Sequence, residues 1–218
     1  MSTVGDLAVK ASLDAFEAAR RAVPKSDLPF TLTHARLVDP QDIPRFGQLC
    51  VIAAMQLLWA TADSYNVEEV KSYIDPEIYR WMYPARSILD AGGEIAGASD
   101  WPVSTPNPFL AIGVAETRSG QRGGVLDATQ RVPREAMLYA YTRNAARVLN
   151  QLDEIGSLAP GKRADLILID RDALTVPVAE LGGAKVVSTW FANLLCLISS
   201  PQALDFSLPN SKAFWNQD

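Results

Sequence analysis

The chain has 218 residues, 20 Lys and Arg against 25 Asp and Glu, and a formal net charge of -5. Apolar residues make up 48%, enough for a sizeable core, and no basic cluster exceeds two residues, which argues against nucleic acid or an anionic membrane surface as a partner. The start "MSTVGDLAVK" has no basic region leading into an apolar core, and no apolar run approaches the ~20 residues of a membrane span, so a cytoplasmic setting is expected.

In chain order, "GDLAVKASLDAFEAARRAV" predicts a helix. Asp6 is its natural N-cap, Val9, Leu13 and Phe16 recur at helical spacing, and Pro24 stops it. "LPFTLTH" (28–34) alternates like a strand and ends on the only histidine, His34. "DPQDIPRFGQL" gives a short helix and "LCVIAAM" (49–55) a buried strand. "DPEIYRWMYPARSILDAGG" reads as a helix bent near Pro84 and ended by Gly92 and Gly93. "EIAGAS" is the next strand, "SGQRGG" (119–124) a flexible loop, and "VPREAMLYAYTRNAARVLN" a helix with Pro133 in its first turn. Pro160-Gly161 suits the centre of a type II turn before the strand "ADLILID", and "KVVSTWFANLLCLIS" supplies one or two more strands. Cys50 and Cys196 sit in apolar runs and read as buried free thiols. Alternating strands and helices imply a parallel sheet with crossover helices, in a (β/α) barrel or a doubly wound sheet.

Parallel α/β folds gather active groups where strands end. Two strand ends carry suitable groups here: His34 after "FTLT" and Asp100 after "AGAS". An imidazole and a carboxylate are ordinary ligands for Zn²⁺ or a similar ion. The same residues have structural readings, a satisfied histidine and a turn aspartate before Trp101-Pro102. Two ligands do not complete a catalytic zinc site, which normally takes three. Asp6 reads as a cap rather than a ligand. Trp59, Trp81 and Tyr83 suit either a pocket wall or the core, with the core preferred, and Arg86 and Arg118 read as surface or structural ion-pair residues. Spacing alone reaches an α/β domain with one His/Asp pair.

Five stretches in order, "VGDLAVKASLDAFEAAR", "LTHARLVDPQDIPRFGQLCVIAAMQ", "YPARSILDAGGEIAGASDWPV", "LYAYTRNAARVL" and "GSLAPGKRADLILIDRD", resemble the metal-dependent amidohydrolase superfamily, in the branch that includes N-substituted formamide deformylases. The resemblance implies a (β/α)₈ barrel with a metal centre at its C-terminal strand ends and a small β-sandwich. His34 matches the metal-binding histidine of the sixth strand. Asp100 matches the acid of the eighth, which helps hold the metal, takes a proton from the attacking water and passes it to the leaving amine. No substrate-binding residue is assigned.

The chain also departs from that pattern. The family's His-x-His pair has no counterpart, Ser2 stands where the family has a histidine ahead of Gly5-Asp6, and Leu57 replaces the proline after Gln56. The resemblance therefore implies an N-terminally truncated enzyme: about the last three barrel strands over residues 1–150, then a β-sandwich remnant and tail over 151–218. The implied activity is hydrolysis of an amide or related non-peptide C–N bond in a small molecule. The implied cofactor is a divalent metal, Zn²⁺ foremost, weakly held or absent in this chain. Two alternatives stand beside it: a non-catalytic remnant, and a half-barrel module that pairs with a separate N-terminal chain or with its own copies.

Overall fold

The computed structural model describes residues 1–120 and 124–198. The predicted loop at 119–124 and the predicted tail beyond 198 thus lie partly or wholly outside the described residues. A four-stranded parallel sheet is built from β1 (Ser2–Thr3), β2 (Phe30–His34), β3 (Val51–Met55) and β4 (Glu94–Gly97), side by side in chain order. The three longer strands fall inside the segments read from the sequence; the two-residue β1 was not foreseen.

Helix α1 (Asp6–Ala22) forms because Val9 and Leu13, four residues apart, share one face, and both are fully buried. Phe16 continues that face and stacks on Phe30 of β2, ring centroids 4.6 Å apart. Asp6 is not the cap. Gly5 occupies that position and Asp6 is the first helical residue, with no side-chain capping bond; it acts there as a negative charge at the positive end of the helix dipole. Helix α2 (Ile43–Gln48) precedes β3, whose five residues are all buried.

The helix expected around Pro84 is two pieces, α3 (Pro76–Tyr79) and α4 (Ala85–Asp90). Asp75 caps α3 through the Glu77 amide, and Gly92 ends the second piece at φ 76°. Helix α5 (Pro108–Thr117) was not predicted. Its sequence "PFLAIGVAET" is apolar all round, so it has no amphipathic period to find. Asn107 caps it, accepting from the Phe109 amide and donating to the Gly182 carbonyl. The last long helical segment breaks at Thr142 into α6 (Arg134–Tyr141) and α7 (Arg143–Val148).

Strands form in both tail segments read as β, with a short helix between them that was not foreseen. Gly161, at φ 89°, follows Pro160 in a turn closed by the Lys162 amide on the Ala159 carbonyl. Then come β5 (Leu166–Ile169), helix α8 (Val178–Leu181), β6 (Val186–Phe191) and β7 (Leu194–Ile198), the three strands forming an antiparallel sheet in the order β5-β6-β7. Ala192 and Asn193, both at positive φ, make the two-residue hairpin between β6 and β7.

The main core lies between the sheet and its helices: Leu32, Ala53, Met55 and Ile95 from the strands meet Val9, Leu13, Phe46, Ile88 and Met137. On the other face Ile52, Ala54 and Ala96 form a small cluster closed by Val148 of α7. The cysteines correct the sequence reading, because both are exposed free thiols. Cys50 sits on the turn before β3 with φ 52°, and Cys196 lies on β7, whose five residues are all exposed.

Candidate active site at the strand ends

Because the four strands of the first sheet run parallel, their C-terminal ends share one rim. Each end delivers one residue to it: Val4 after β1, His34 at the end of β2, Gln56 after β3, and Asp100 three residues beyond β4. His34 and Asp100 line one cavity of about 460 Å³ together with Val4, Arg36, Trp59, Asp63, Tyr65, Asn66, Tyr83 and Val103. The two residues picked from the sequence are thus brought together. Asp6 and Cys50 are not among the lining residues, and Cys50 stands at the opposite end of β3.

The imidazole is held by its neighbours. His34 Nδ1 lies 2.8 Å from Oε1 of Gln56, which is 1% exposed, and the ring stacks on Trp59 with centroids 5.9 Å apart. A carboxamide oxygen can only accept, so Nδ1 carries a proton, and in the neutral ring the lone pair falls on Nε2. A metal-binding histidine is commonly oriented by an acceptor on its other ring nitrogen, and the Gln56 side chain can serve as one here. The backbone is specialised at the same place. His34 (φ 73°), Ala35 (φ 44°), Tyr83 (φ 50°) and Asp100 (φ 56°) are all left-handed without being glycine, a conformation that costs energy and concentrates at functional sites.

The approach to Asp100 explains the small residues before it. A Cβ on Gly97 would stand 2.5 Å from the Tyr141 ring, so glycine lets α6 close against β4. Burial pushes the Tyr141 and Tyr83 phenols up to about 12. Both hydroxyls are therefore neutral near pH 7, and Tyr83 presents an uncharged ring to the cavity. The sequence preferred the core for Trp59 and Tyr83, and both do touch it, but both also form the cavity wall; Trp81 packs against the core and lines a different cavity.

The arginines sort differently from expectation. Arg86 makes the surface pair with Asp90 that was foreseen, at 2.7 Å. Arg118 is fully buried and holds no carboxylate among the described residues. Its Nη1 and Nη2 donate to the Tyr83 and Met82 carbonyls at 3.2 and 2.9 Å, pinning the left-handed turn at Tyr83, and burial pulls its guanidinium down to about 10. Gln56 and Arg36 were missed as site residues. Nothing local marks them, since each acquires its place from what another strand or loop sets opposite it.

A parallel sheet whose ends bring imidazole and carboxylate into one cavity is the arrangement that hydrolytic α/β folds use. The chain belongs to the amidohydrolase family, whose model matches residues 1–194. It is 29% identical over 194 residues to the N-substituted formamide deformylase of Arthrobacter pascens, covering 88% of this chain and 35% of that protein. Among solved structures it resembles uncharacterised metal-dependent hydrolases of Pyrococcus horikoshii (TM-score 0.66, 25% identity, 83% of this chain and 35% of that one) and Pyrococcus furiosus (TM-score 0.61, 28% identity, 80% and 33%). The chain spans about a third of the length of these relatives.

A metal can be tested against the residues present. His34 offers a ring nitrogen and Asp100 a carboxylate in the same cavity. Among the described residues, however, no group of three or more His, Cys, Asp and Glu converges. The pair fits as two donors and does not complete a catalytic shell.

Proposed function

We propose that this chain carries the C-terminal part of a metal-dependent amidohydrolase barrel, with the three strands of its tail as the appended β unit, and that its site serves hydrolysis of an amide or related non-peptide C–N bond in a small molecule. The observation that carries the reading is that His34, its Nδ1 held by Gln56 at 2.8 Å, and Asp100 line one cavity at the strand ends. His34 and Asp100 would hold the ion, which we take to be Zn²⁺; when bound, it supplies Lewis acidity toward the substrate carbonyl. The chain's own residues do the rest. Gln56 orients the imidazole, Trp59 and Tyr83 wall the cavity, and the Asp100 carboxylate accepts a proton from the attacking water and hands it to the departing amine.

The shortage of donors favours a second reading. A half-barrel with two donors completes its shell only when further ligands come from another segment or chain, or it serves as a non-catalytic remnant. One assay separates them: turnover of an N-substituted formamide by the unmutated chain and by Asp100→Asn. The catalytic reading expects a loss on the order of 10²–10⁴-fold, because an amide cannot take the proton. Comparable turnover in the variant removes Asp100 from the mechanism, and a wild-type chain without turnover supports the second reading.

A further inference from the structure

The cavity that holds His34 and Asp100 also contains a cation with no part in the proton transfer. Arg36, two residues past His34, is 8% exposed. Its guanidinium carbon lies 4.9 Å from the Tyr65 ring centroid and 5.9 Å from that of Tyr83. Nη2 donates to Asn66 Oδ1 at 2.6 Å, and the Asn66 amide is locked by its own bonds to the Trp59 and Thr61 carbonyls at 3.0 and 2.8 Å. Nε is buried without a partner, and Arg36 joins no ion pair among the described residues.

Two carboxylates line this cavity, Asp63 and Asp100, and neither forms an ion pair with Arg36 among the described residues. Asp63 accepts from the Asn66 amide at 2.8 Å and from the Thr61 hydroxyl at 3.3 Å. An arginine buried beside two aromatic rings and an amide, without a counter-ion, is costly to keep. Its surroundings nonetheless fix it in place. Another largely buried arginine of this chain, Arg45, does find carboxylates, in Asp14, Glu17 and Asp42.

We propose that Arg36 is the anion-recognising residue of the cavity and that the substrate carries a carboxylate on an apolar or aromatic body. Guanidinium matches a planar carboxylate in shape and charge, and Trp59, Tyr65, Tyr83 and Val103 offer apolar surface for the remainder. The inference rests on the cavity's being the substrate site and deepens that reading by naming a substrate class, amides bearing a free carboxylate.

The test compares two probes on the purified chain in the presence of chelator, so that no metal can bind the anion: N-formylphenylalanine and its neutral carboxamide, followed by calorimetry. The expected result is tighter binding of the carboxylate, on the order of tenfold. Arg36→Gln should abolish that preference, Arg36→Lys should keep part of it, and Arg86→Gln, a surface arginine outside this cavity, should leave it unchanged. Equal affinity of the two probes for the unmutated chain overturns the role of Arg36 while leaving the cavity as a substrate site. Binding of neither probe overturns both. If Arg36→Gln fails to fold, the wild-type comparison and the lysine variant decide, since loss of the preference in a folded lysine variant at full charge would also contradict a charge-reading role.

Discussion

At the scale of single residues, the site is built from side chains whose states are set by their neighbours. His34 has Gln56 to orient its ring, and Arg118 needs two carbonyls to occupy a buried position. The two buried phenols give this dependence a measurable form. Tyr83 and Tyr141 titrate near 12 when folded and near 10 when exposed, because burial disfavours the phenolate. A raised folded-state value contributes stability that is present below pH 10 and lost as pH climbs toward 12. Arg118, pulled down by burial, acts in the opposite sense, one group against two. Chemical denaturation from pH 8 to pH 12 should therefore give flat stability to about pH 10 and then a decline. Tyr83→Phe and Tyr141→Phe should each soften that decline; an unchanged slope in both would contradict the assignment. His34 and Asp100 could be picked out as candidates because each is the ionisable group that ends a strand-like run without other charges, "FTLT" and "AGAS". Gln56 and Arg36 were not, because their roles exist only once β3 and the 59–66 loop are placed beside β2.

Secondary-structure elements explain how the rim stays open to these residues. The small residues of β4 let α6 approach: Gly97 faces the Tyr141 ring, Tyr141 reaches the Ala98 carbonyl at 3.5 Å, and Asn144 of α7 donates to Ile95 of the same strand at 2.8 Å. The glycine is therefore a packing requirement. Gly97→Ala should destabilise the fold by about 1–3 kcal/mol, the usual cost of forcing an atom into a packed contact. Urea titration checks it, and an unaltered midpoint would mean that Tyr141 yields freely. The strands β2, β3 and β4 could be read from apolar alternation and runs, and the parallel arrangement from their spacing by helices. Helix α5 could not, since its burial on every side erases the period, and neither could the break at Thr142, where the backbone turns away (φ -121°, ψ -89°) without a proline or glycine to announce it.

At the scale of the whole molecule, the parallel sheet has two outer strands, and they are treated differently. β4 is met by α7 through the Asn144 bond, whereas among the described residues β1 pairs with β2 alone. Strand edges without partners invite pairing. Large apolar side chains are also open to solvent, among them Leu7, Trp101, Val103, Phe191 and Leu194, each more than half exposed. Sedimentation at micromolar concentration should accordingly find association of the isolated chain; a compact monomer that ignores an apolar dye would show that these surfaces are tolerated. The central claim, that His34 and Asp100 form part of a metal site, has a more direct test. Zinc should be titrated into chelator-washed protein and counted per chain, alongside His34→Ala and Gln56→Leu. The account predicts weak, substoichiometric binding that disappears without His34 and falls about 10- to 100-fold without the residue that orients it. Zinc bound equally well by all three proteins would place the metal elsewhere and contradict the site.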